Sequence, residues 1–163
     1  MSDIKNLHHQ AYTGEAKAAI RLKIYADKAD QEGYAQIAKL FRVISFSEEI
    51  HASRSLRALR EIKGTEENLA ASFESETKVA GLAYEGFIKA AIEAGDAVSE
   101  TIFSQSKDVE ETHAKLYQKA MNHMLDENET DYYVCKVCGY ISDFIEPDVC
   151  PVCNAKREQF VKM

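Results

Sequence analysis

Proline is nearly absent from this chain of 163 residues, because both of its prolines, Pro147 and Pro151, lie close to the C-terminal end. Residues 4 to 127 contain none, so nothing in that stretch breaks a helix. Long apolar runs are absent as well, since no run approaches the roughly 18 residues that a membrane-spanning helix needs. The sequence therefore predicts long helices and no membrane partner.

Basic residues are also in deficit, with 20 Lys and Arg against 27 Asp and Glu and a net charge of −7. An acidic surface repels the phosphates of nucleic acids, so no nucleic-acid partner is expected. The N-terminal residues contain no apolar h-region of a signal peptide, and we therefore expect a cytoplasmic protein.

Three glycines, Gly33, Gly64 and Gly95, divide the proline-free stretch where turns are needed. The segments between them predict four helices, near 4–31, 34–63, 66–94 and 96–127. Short connections make neighbouring helices antiparallel, which indicates a four-helix bundle. The predicted fold is all-α, with the bundle over residues 1–128, a polar linker near 126–131 and a small module over 132–163.

The helical part of the chain repeats itself. A shift of 62 positions superposes at least eight identical residues, and two copies of a helix pair would produce this pattern. Glu48 and His51 fall on Glu110 and His113, so a Glu-x-x-His motif occurs twice. Further residues with an identical counterpart 62 positions later include Ala29, Gly33, Phe41, Glu49, Ala52 and Ala58.

Helical spacing places both motifs on the inward face of a helix. Apolar residues of the second predicted helix follow a 4-3 spacing that includes Glu48 and His51 and leaves Glu49 off the stripe. The fourth predicted helix has the same arrangement around Glu110 and His113. At i and i+3 two side chains lie close enough to bind one ion.

The other two helices each bring one glutamate inward, Glu15 on the first and Glu76 on the third. One Glu-x-x-His alone, among 27 acidic residues, would more often be a surface motif. The repeat and the two further glutamates favour metal ligands instead, in the pattern of ferritin-like di-iron or di-manganese carboxylate bundles. Two divalent ions would offset the charge of four buried carboxylates, and mixed carboxylate and imidazole ligands suit iron or manganese. The remaining histidines belong to no such set and are expected on the surface: His8, His9 and His123.

All four cysteines lie in the last 30 residues, as Cys135-x2-Cys138, eleven residues, and Cys150-x2-Cys153. Each pair can form a tight turn that directs two thiolates at one tetrahedral ion. The spacing leaves the metal open between structural zinc and redox iron. A redox-capable di-metal site on the same chain favours iron, because four thiolates around one iron make a one-electron carrier.

These motifs resemble those of rubrerythrin, a ferritin-like di-iron bundle with a C-terminal rubredoxin-like domain. The resemblance covers nearly the whole chain and rests on TGEAK, SEEIH, SETK, VEETHAKLY and the segment from CKVCGY to CPVCNAKREQF. It implies two irons bridged by Glu48 and Glu110, with four terminal ligands, Glu15, Glu76, His51 and His113. It also implies a third iron in the four-cysteine site.

The sequence departs from the family pattern at three positions. Val79 stands where rubrerythrins usually have a seventh carboxylate that exchanges with a histidine ligand. Leu22 replaces a tyrosine, and a Tyr-Pro step survives only as Tyr84-Glu85. The redox-linked movement of one iron is therefore not expected, and His51 is expected to stay bound in both states.

The resemblance implies a cytoplasmic peroxidase that reduces hydrogen peroxide to water, with electrons from rubredoxin or an NAD(P)H-dependent rubredoxin reductase. Tyr84 is a candidate hydrogen-bond donor to the bound oxygen. Two other functions stay open: a ferroxidase that reduces dioxygen, and a non-enzymatic bundle with a zinc-stapled tail that binds a partner protein.

The resemblance further implies a head-to-tail homodimer. The fourth predicted helix continues about 20 Å beyond His113, at 1.5 Å per residue. A short linker was expected to return the cysteine module only part of the way, not past the end of the bundle. On that argument each module would serve the metal site of the partner chain.

Overall fold

The computed structural model describes residues 2–122 and 129–163, and the chain divides into two compact units, Met1–Lys63 and Gly64–Met163. The predicted end of the fourth helix near 127, the first half of the predicted linker and His123 lie outside the described residues. The predicted boundary between the bundle domain and the module falls partly there and stays a prediction. In the described part of the chain, no helix combines the length and hydropathy required to cross a membrane.

The first unit is a helical hairpin of α1 (Ser2–Gln31) and α2 (Ala35–Ala58). Gly33, with φ +84°, turns the chain between them, as predicted. Small residues spaced seven apart make the contact between the helices, and they are fully or almost fully buried: Ala19, Ala26, Ala38, Ser45 and Ala52. The Ser45 hydroxyl donates a hydrogen bond of 2.8 Å to the Ala19 carbonyl oxygen. Close packing of two helices therefore rests on small side chains.

The second unit begins with α3 (Thr65–Lys78), α4 (Tyr84–Ala94) and α5 (Ala97–Asn122). A π-helical turn over Val79–Ala83 separates α3 from α4. Gly95, with φ +67°, ends α4, and the Asp96 carboxylate accepts the Ser99 N–H at 3.0 Å to begin α5. Helix α5 packs against both α3 and α4.

The rest of the second unit is a small β module. Its sheet has the order β2-β1-β3, with both pairs antiparallel, and consists of β1 (Tyr132–Cys135), β2 (Ile141–Asp143) and β3 (Phe160–Lys162). Its buried core contains Cys135, Cys150 and Phe160. Such a core is small for independent folding, so a bound metal is expected to stabilise the folded module.

The predicted fold class is confirmed: in the described residues, helices α1 to α5 precede a four-cysteine module. Two details of the prediction are wrong. Helix α2 ends at Ala58 instead of 63, because Arg60 adopts a left-handed conformation with φ +57°. The third predicted helix is not continuous, because the π-helical turn interrupts it after Lys78.

Candidate metal centres

The first hairpin brings together Glu15 from α1 and Glu48 and His51 from α2. One potential ligand atom from each of these side chains lies within 4.8 Å of the others. His51 Nδ1 lies 3.0 Å from Glu48 Oε2, and Glu48 is only 22% exposed. The i, i+3 spacing on α2 thus directs a carboxylate and an imidazole at one point.

The second unit repeats this arrangement with Glu76 from α3 and Glu110 and His113 from α5, again within 4.8 Å of one another. His113 Nδ1 lies 3.1 Å from Glu110 Oε2, and both side chains are largely buried. Burial, together with the hydrogen bond and the charge of Glu110, raises the pKa of Glu76 to about 7. Two adjacent carboxylates without a cation thus resist ionisation, and a bound metal ion would favour the ionised form of both.

Neighbouring glutamates have different surroundings. Glu49, next to Glu48, forms an ion pair of 2.5 Å with Lys23 at the surface of the first hairpin. Glu111, next to Glu110, is exposed and lines an open groove between α3 and α5. Glu48 and Glu110 belong to the two triads, and the metal-ligand role that the helical phase predicts for them stays a prediction.

The donor set of the two triads fits divalent iron or manganese. Each triad has two carboxylates and one imidazole, whose oxygen and nitrogen atoms match metals of intermediate hardness. The two triads contain four glutamates and two histidines, which are the residue types of a di-metal carboxylate bundle. The triads belong to different units of the chain, one to the hairpin and one to residues 64–163.

The π-helical turn begins three residues after Glu76, at Val79, the position where the resemblance implies an extra carboxylate. Val79 is half-buried and offers no ligand atom. π-Helical turns insert one residue into a helix and occur often at functional sites. After the turn, Tyr84 packs its ring against Phe87 and Phe103, with centroids 5.7 and 6.3 Å away.

The four cysteines converge in the β module. Cys135 Sγ lies 3.7 Å from Cys153 Sγ, and Cys138 Sγ lies 3.6 Å from Cys150 Sγ. These distances exclude disulfide bonds, and all four cysteines are free. A tetrahedral ion with bonds of about 2.3 Å to sulfur requires sulfur atoms about 3.8 Å apart. The spacing therefore fits one tetrahedral metal ion.

The sulfur atoms have unequal electrostatic surroundings. Burial raises the pKa of the Cys138 thiol far above its usual range and also raises the pKa of Cys153. Burial opposes ionisation of Cys135 too, but backbone N–H groups of Cys138 and Val137 bond to its sulfur, and its pKa is lowered. Four adjacent thiolates need a cation, because their charges otherwise repel.

The β module lies against the helix that carries His113. The His113 Nε2 is 3.4 Å from the Gly139 carbonyl oxygen, and a Cβ atom at Gly139 would lie 3.9 Å from Val109 Cγ1. Lys119 of α5 forms an ion pair with Asp143 of β2. The expectation that the module stays beyond the end of the bundle is therefore wrong, because the module contacts α5 as far back as Val109 and His113.

The ten residues predicted as metal ligands fall into three clusters in the structure, but the sequence provides no prediction of the residues that join the module to the helix. Gly139 and Lys119 are single residues within ordinary polar or turn sequences, so no periodic signal marks them. A signal did exist for the hairpin contact, since Ala38, Ser45 and Ala52 recur every seven residues.

Comparison with known proteins assigns the family. The rubrerythrin family model matches residues 5–121, and the model of the rubrerythrin rubredoxin-like domain matches residues 133–161. This chain belongs to the rubrerythrin family. Both halves of the predicted architecture, the helical di-metal part and the four-cysteine module, therefore have counterparts in one family, whose members are oxidoreductases.

Several rubrerythrins are similar to the chain over most of its length. The rubrerythrin of Porphyromonas gingivalis is 30% identical, with 94% of this chain and 86% of that protein covered. Rubrerythrin-2 of Clostridium acetobutylicum is 27% identical over 92% of this chain and 91% of that protein. Nigerythrin of Nitratidesulfovibrio vulgaris is 28% identical over 98% and 85%.

Solved structures of nigerythrin are also similar to this chain. The fully reduced, all-ferrous state matches with a TM-score of 0.61 and 25% identity over 98% of this chain and 86% of that one. The mixed-valence state matches with a TM-score of 0.60 over the same shares. The similarity extends through both the helices and the β module.

Proposed function

We propose that this member of the rubrerythrin family is a cytoplasmic non-haem di-iron peroxidase that reduces hydrogen peroxide to water. One observation carries the proposal: two carboxylate–histidine triads and a four-thiol site lie on one chain. A di-metal site can cleave an O–O bond, and a four-thiolate iron can supply single electrons to it. The all-ferrous state reported for nigerythrin supports iron as the metal.

Each ligand has a proposed role. Glu48 and Glu110 would each hold both irons, and Glu15, Glu76, His51 and His113 would each hold one. Each histidine presents Nδ1 toward the glutamate three residues before it, which supports metal binding through that nitrogen. Cys135, Cys138, Cys150 and Cys153 would hold the third iron, which would supply one-electron transfer from the donor.

The irons supply redox equivalents and Lewis acidity, while the chain provides the ligands and the apolar surroundings. One turnover consumes one hydrogen peroxide, two electrons and two protons and releases two water molecules. Tyr84 is the proposed hydrogen-bond donor to the substrate, with its ring held by Phe87 and Phe103. The proposed electron donor is rubredoxin or an NAD(P)H-dependent rubredoxin reductase.

A second candidate is ferroxidation with dioxygen, and Val79 is the observation that favours it. The half-buried valine removes the carboxylate that the family resemblance associates with iron movement. The six ligands of the plainer di-iron bundle are all present. The peroxidase uses hydrogen peroxide as its oxidant and the ferroxidase uses dioxygen. Comparing the rates of oxidation by the two therefore distinguishes the two functions.

The test is to reduce the iron-loaded protein anaerobically and mix it with hydrogen peroxide or with dioxygen. The proposal predicts faster oxidation by peroxide and sustained turnover when a reduced donor is supplied. The double variant Glu48→Gln/Glu110→Gln, which keeps the four cysteines, should show neither. Faster turnover with dioxygen would favour the ferroxidase, and a colourless zinc-containing tail in protein from its native host would remove the electron-transfer role.

A further inference from the structure

The hairpin of α1 and α2 exposes large apolar side chains on the side opposite its metal-ligand candidates. At roughly 100° per residue, each of them lies about 140–180° around its helix from the ligand glutamate of that helix, Glu15 or Glu48. We call these five residues the outer face of the hairpin. Whatever covers the ligand side therefore leaves the outer face uncovered. Their exposed fractions lie between 46% and 65%: Ile20 and Ile24 on α1, and Val43, Phe46 and Ile50 on α2.

The second Glu-x-x-His helix provides a comparison within the chain. A shift of 62 positions carries the three α2 residues of the outer face onto polar residues of α5, namely Gln105, Asp108 and Thr112. The same shift keeps a glutamate and a histidine at the ligand positions. The ligand pattern therefore does not require an apolar outer face, and the apolar residues of α2 have another role.

Helix α2 has apolar residues on every side. Ala38 is buried in the contact with α1, Ile44 shares the side of Glu48, and Phe46 lies on the outer face. A helix that is apolar all round is normally covered all round. The outer face exposes on the order of 500 Å², which is near the upper end of the apolar patches that monomeric proteins leave to solvent. A partner on this face is therefore expected.

The charged residues on this side of the hairpin are paired with one another or lie at the edges. Lys23 pairs with Glu49 at 2.5 Å, and Arg42 pairs with Asp30 at 2.5 Å. An apolar centre with a charged rim is typical of protein interfaces. Insertion into lipid would instead remove these ion pairs from water, which is costly. Exposed basic residues flank the apolar residues along both helices: Lys17, Lys39 and Arg57.

We propose that the outer face of the hairpin binds the outer face of a second copy of this chain. Such a contact joins apolar surface to apolar surface, and a two-fold contact between identical faces leaves no further patch open. A stable interface buries roughly 800 Å² on each partner, of which the five side chains supply more than half. The contact defines an interface for the homodimer that the family resemblance implies, and it does not depend on the proposed peroxidase.

The first experiment gives α2 the outer face that α5 already has. The triple variant Val43→Gln/Phe46→Asp/Ile50→Thr carries the residues found 62 positions later, which a helix with the same ligand pattern accommodates. Sedimentation equilibrium of the full-length, iron-loaded protein measures the dissociation constant of the dimer. We expect a wild-type dimer and a dissociation constant raised roughly 100-fold or more in the variant, with unchanged far-UV circular dichroism.

Val98→Asp is the control, because Val98 is an exposed apolar residue of α5 outside the outer face, and this variant should keep the dimer. Ile20→Asn/Ile24→Asn changes only α1 and should also weaken the dimer, so a local defect of α2 cannot account for the result. A wild-type protein that is monomeric at about 100 µM would overturn the proposal. A dimer as tight in the triple variant as in the wild type would do the same.

Salt separates the proposed contact from an arrangement in which the basic edges of the hairpin bind an acidic surface of another copy. Identical outer faces bring basic edges near one another, so about 0.5 M NaCl should leave the dimer as tight or tighter, because salt screens their repulsion. A contact between opposite charges would instead weaken in salt. Marked dissociation of the wild-type dimer at high salt would therefore count against the proposal.

A photo-crosslink identifies the surface that the outer face contacts. Benzoylphenylalanine is incorporated at position 46 of the full-length chain, and ¹⁴N-labelled and ¹⁵N-labelled chains are mixed before irradiation. Mass spectrometry then recognises peptides joined between chains by their mixed labels. We expect position 46 of one chain to be joined to residues 17–57 of the other. Cross-links between chains that are confined to residues 64–163 would overturn the proposal.

Discussion

Adjacent glutamates on α2 show how one residue position separates two roles. Glu48 shares a small volume with Glu15 and His51, whereas Glu49 pairs with Lys23 in solvent. Removing a buried ligand leaves the metal charge uncompensated, while an exposed ion pair contributes about 0–1 kcal/mol.

Glu48→Gln should therefore lose most of the di-metal site, and Glu49→Gln should retain it. The measurement is metal analysis of the purified protein, with the cysteine-bound metal as the internal reference. The same contrast is expected between Glu110→Gln and Glu111→Gln. If Glu49→Gln empties the site and Glu48→Gln does not, the helical phase proposed for metal binding is wrong.

Tyr84 combines a half-buried ring with a candidate functional hydroxyl. Tyr84→Phe keeps the contacts with Phe87 and Phe103 and removes only the oxygen. If the hydroxyl donates to the substrate, the rate of peroxide turnover should fall roughly 100-fold or more with unchanged metal content. Phe87→Leu, which alters the packing and leaves the hydroxyl, is the control. Unchanged turnover in Tyr84→Phe would assign the residue to packing alone.

At the scale of the element, the contact between α1 and α2 depends on small side chains. Ala38 is fully buried between the helices. Ala38→Leu should therefore force them apart and lower the free energy of unfolding by about 1–3 kcal/mol. Lys39→Leu, on the exposed side of the same helix, should change it by less than about 0.5 kcal/mol. Urea denaturation followed by circular dichroism gives both values, and equal effects would contradict the assigned contact.

The helices and the positions of their ligands could be predicted because the helical pattern recurs over many residues. An error in the end of a helix therefore does not change the face on which a ligand lies. Glu48 and Glu110 fall on apolar stripes, and Gly33 and Gly95 adopt the left-handed conformation that ends a helix. The end of α2 was missed because apolar residues such as Ile62 continue the helical pattern beyond Ala58. A π-helical turn adds one residue without a distinctive composition, so the break after Lys78 gave no signal.

At the scale of the whole molecule, the least predictable feature is how the β module meets α5. The contact depends on the Gly139 carbonyl and on the pairing of Lys119 with Asp143, which are far apart in sequence. No local pattern reports such a contact. The four cysteines, by contrast, were found from spacing alone, because tetrahedral coordination demands two close pairs.

Metal should hold the β module together, since its buried core consists of Cys135, Cys150 and Phe160. Removing the metal with a chelator should unfold residues 129–163 and leave most of the helical circular dichroism unchanged. Amide signals of the module in ¹⁵N NMR spectra should collapse to the range of an unfolded chain and return when zinc is added. Retention of dispersed signals without metal would contradict this role.

The most direct test of the central claim is a stopped-flow measurement on anaerobically reduced, iron-loaded protein mixed with hydrogen peroxide. Absorbance of the ferric four-cysteine site reports when that site loses its electron. The account predicts rapid return of this absorbance in the wild-type protein, faster with peroxide than with dioxygen. In Glu48→Gln/Glu110→Gln the same absorbance should return slowly or not at all. Equally fast oxidation in that double variant would contradict the claim that peroxide is reduced at the carboxylate–histidine ligands.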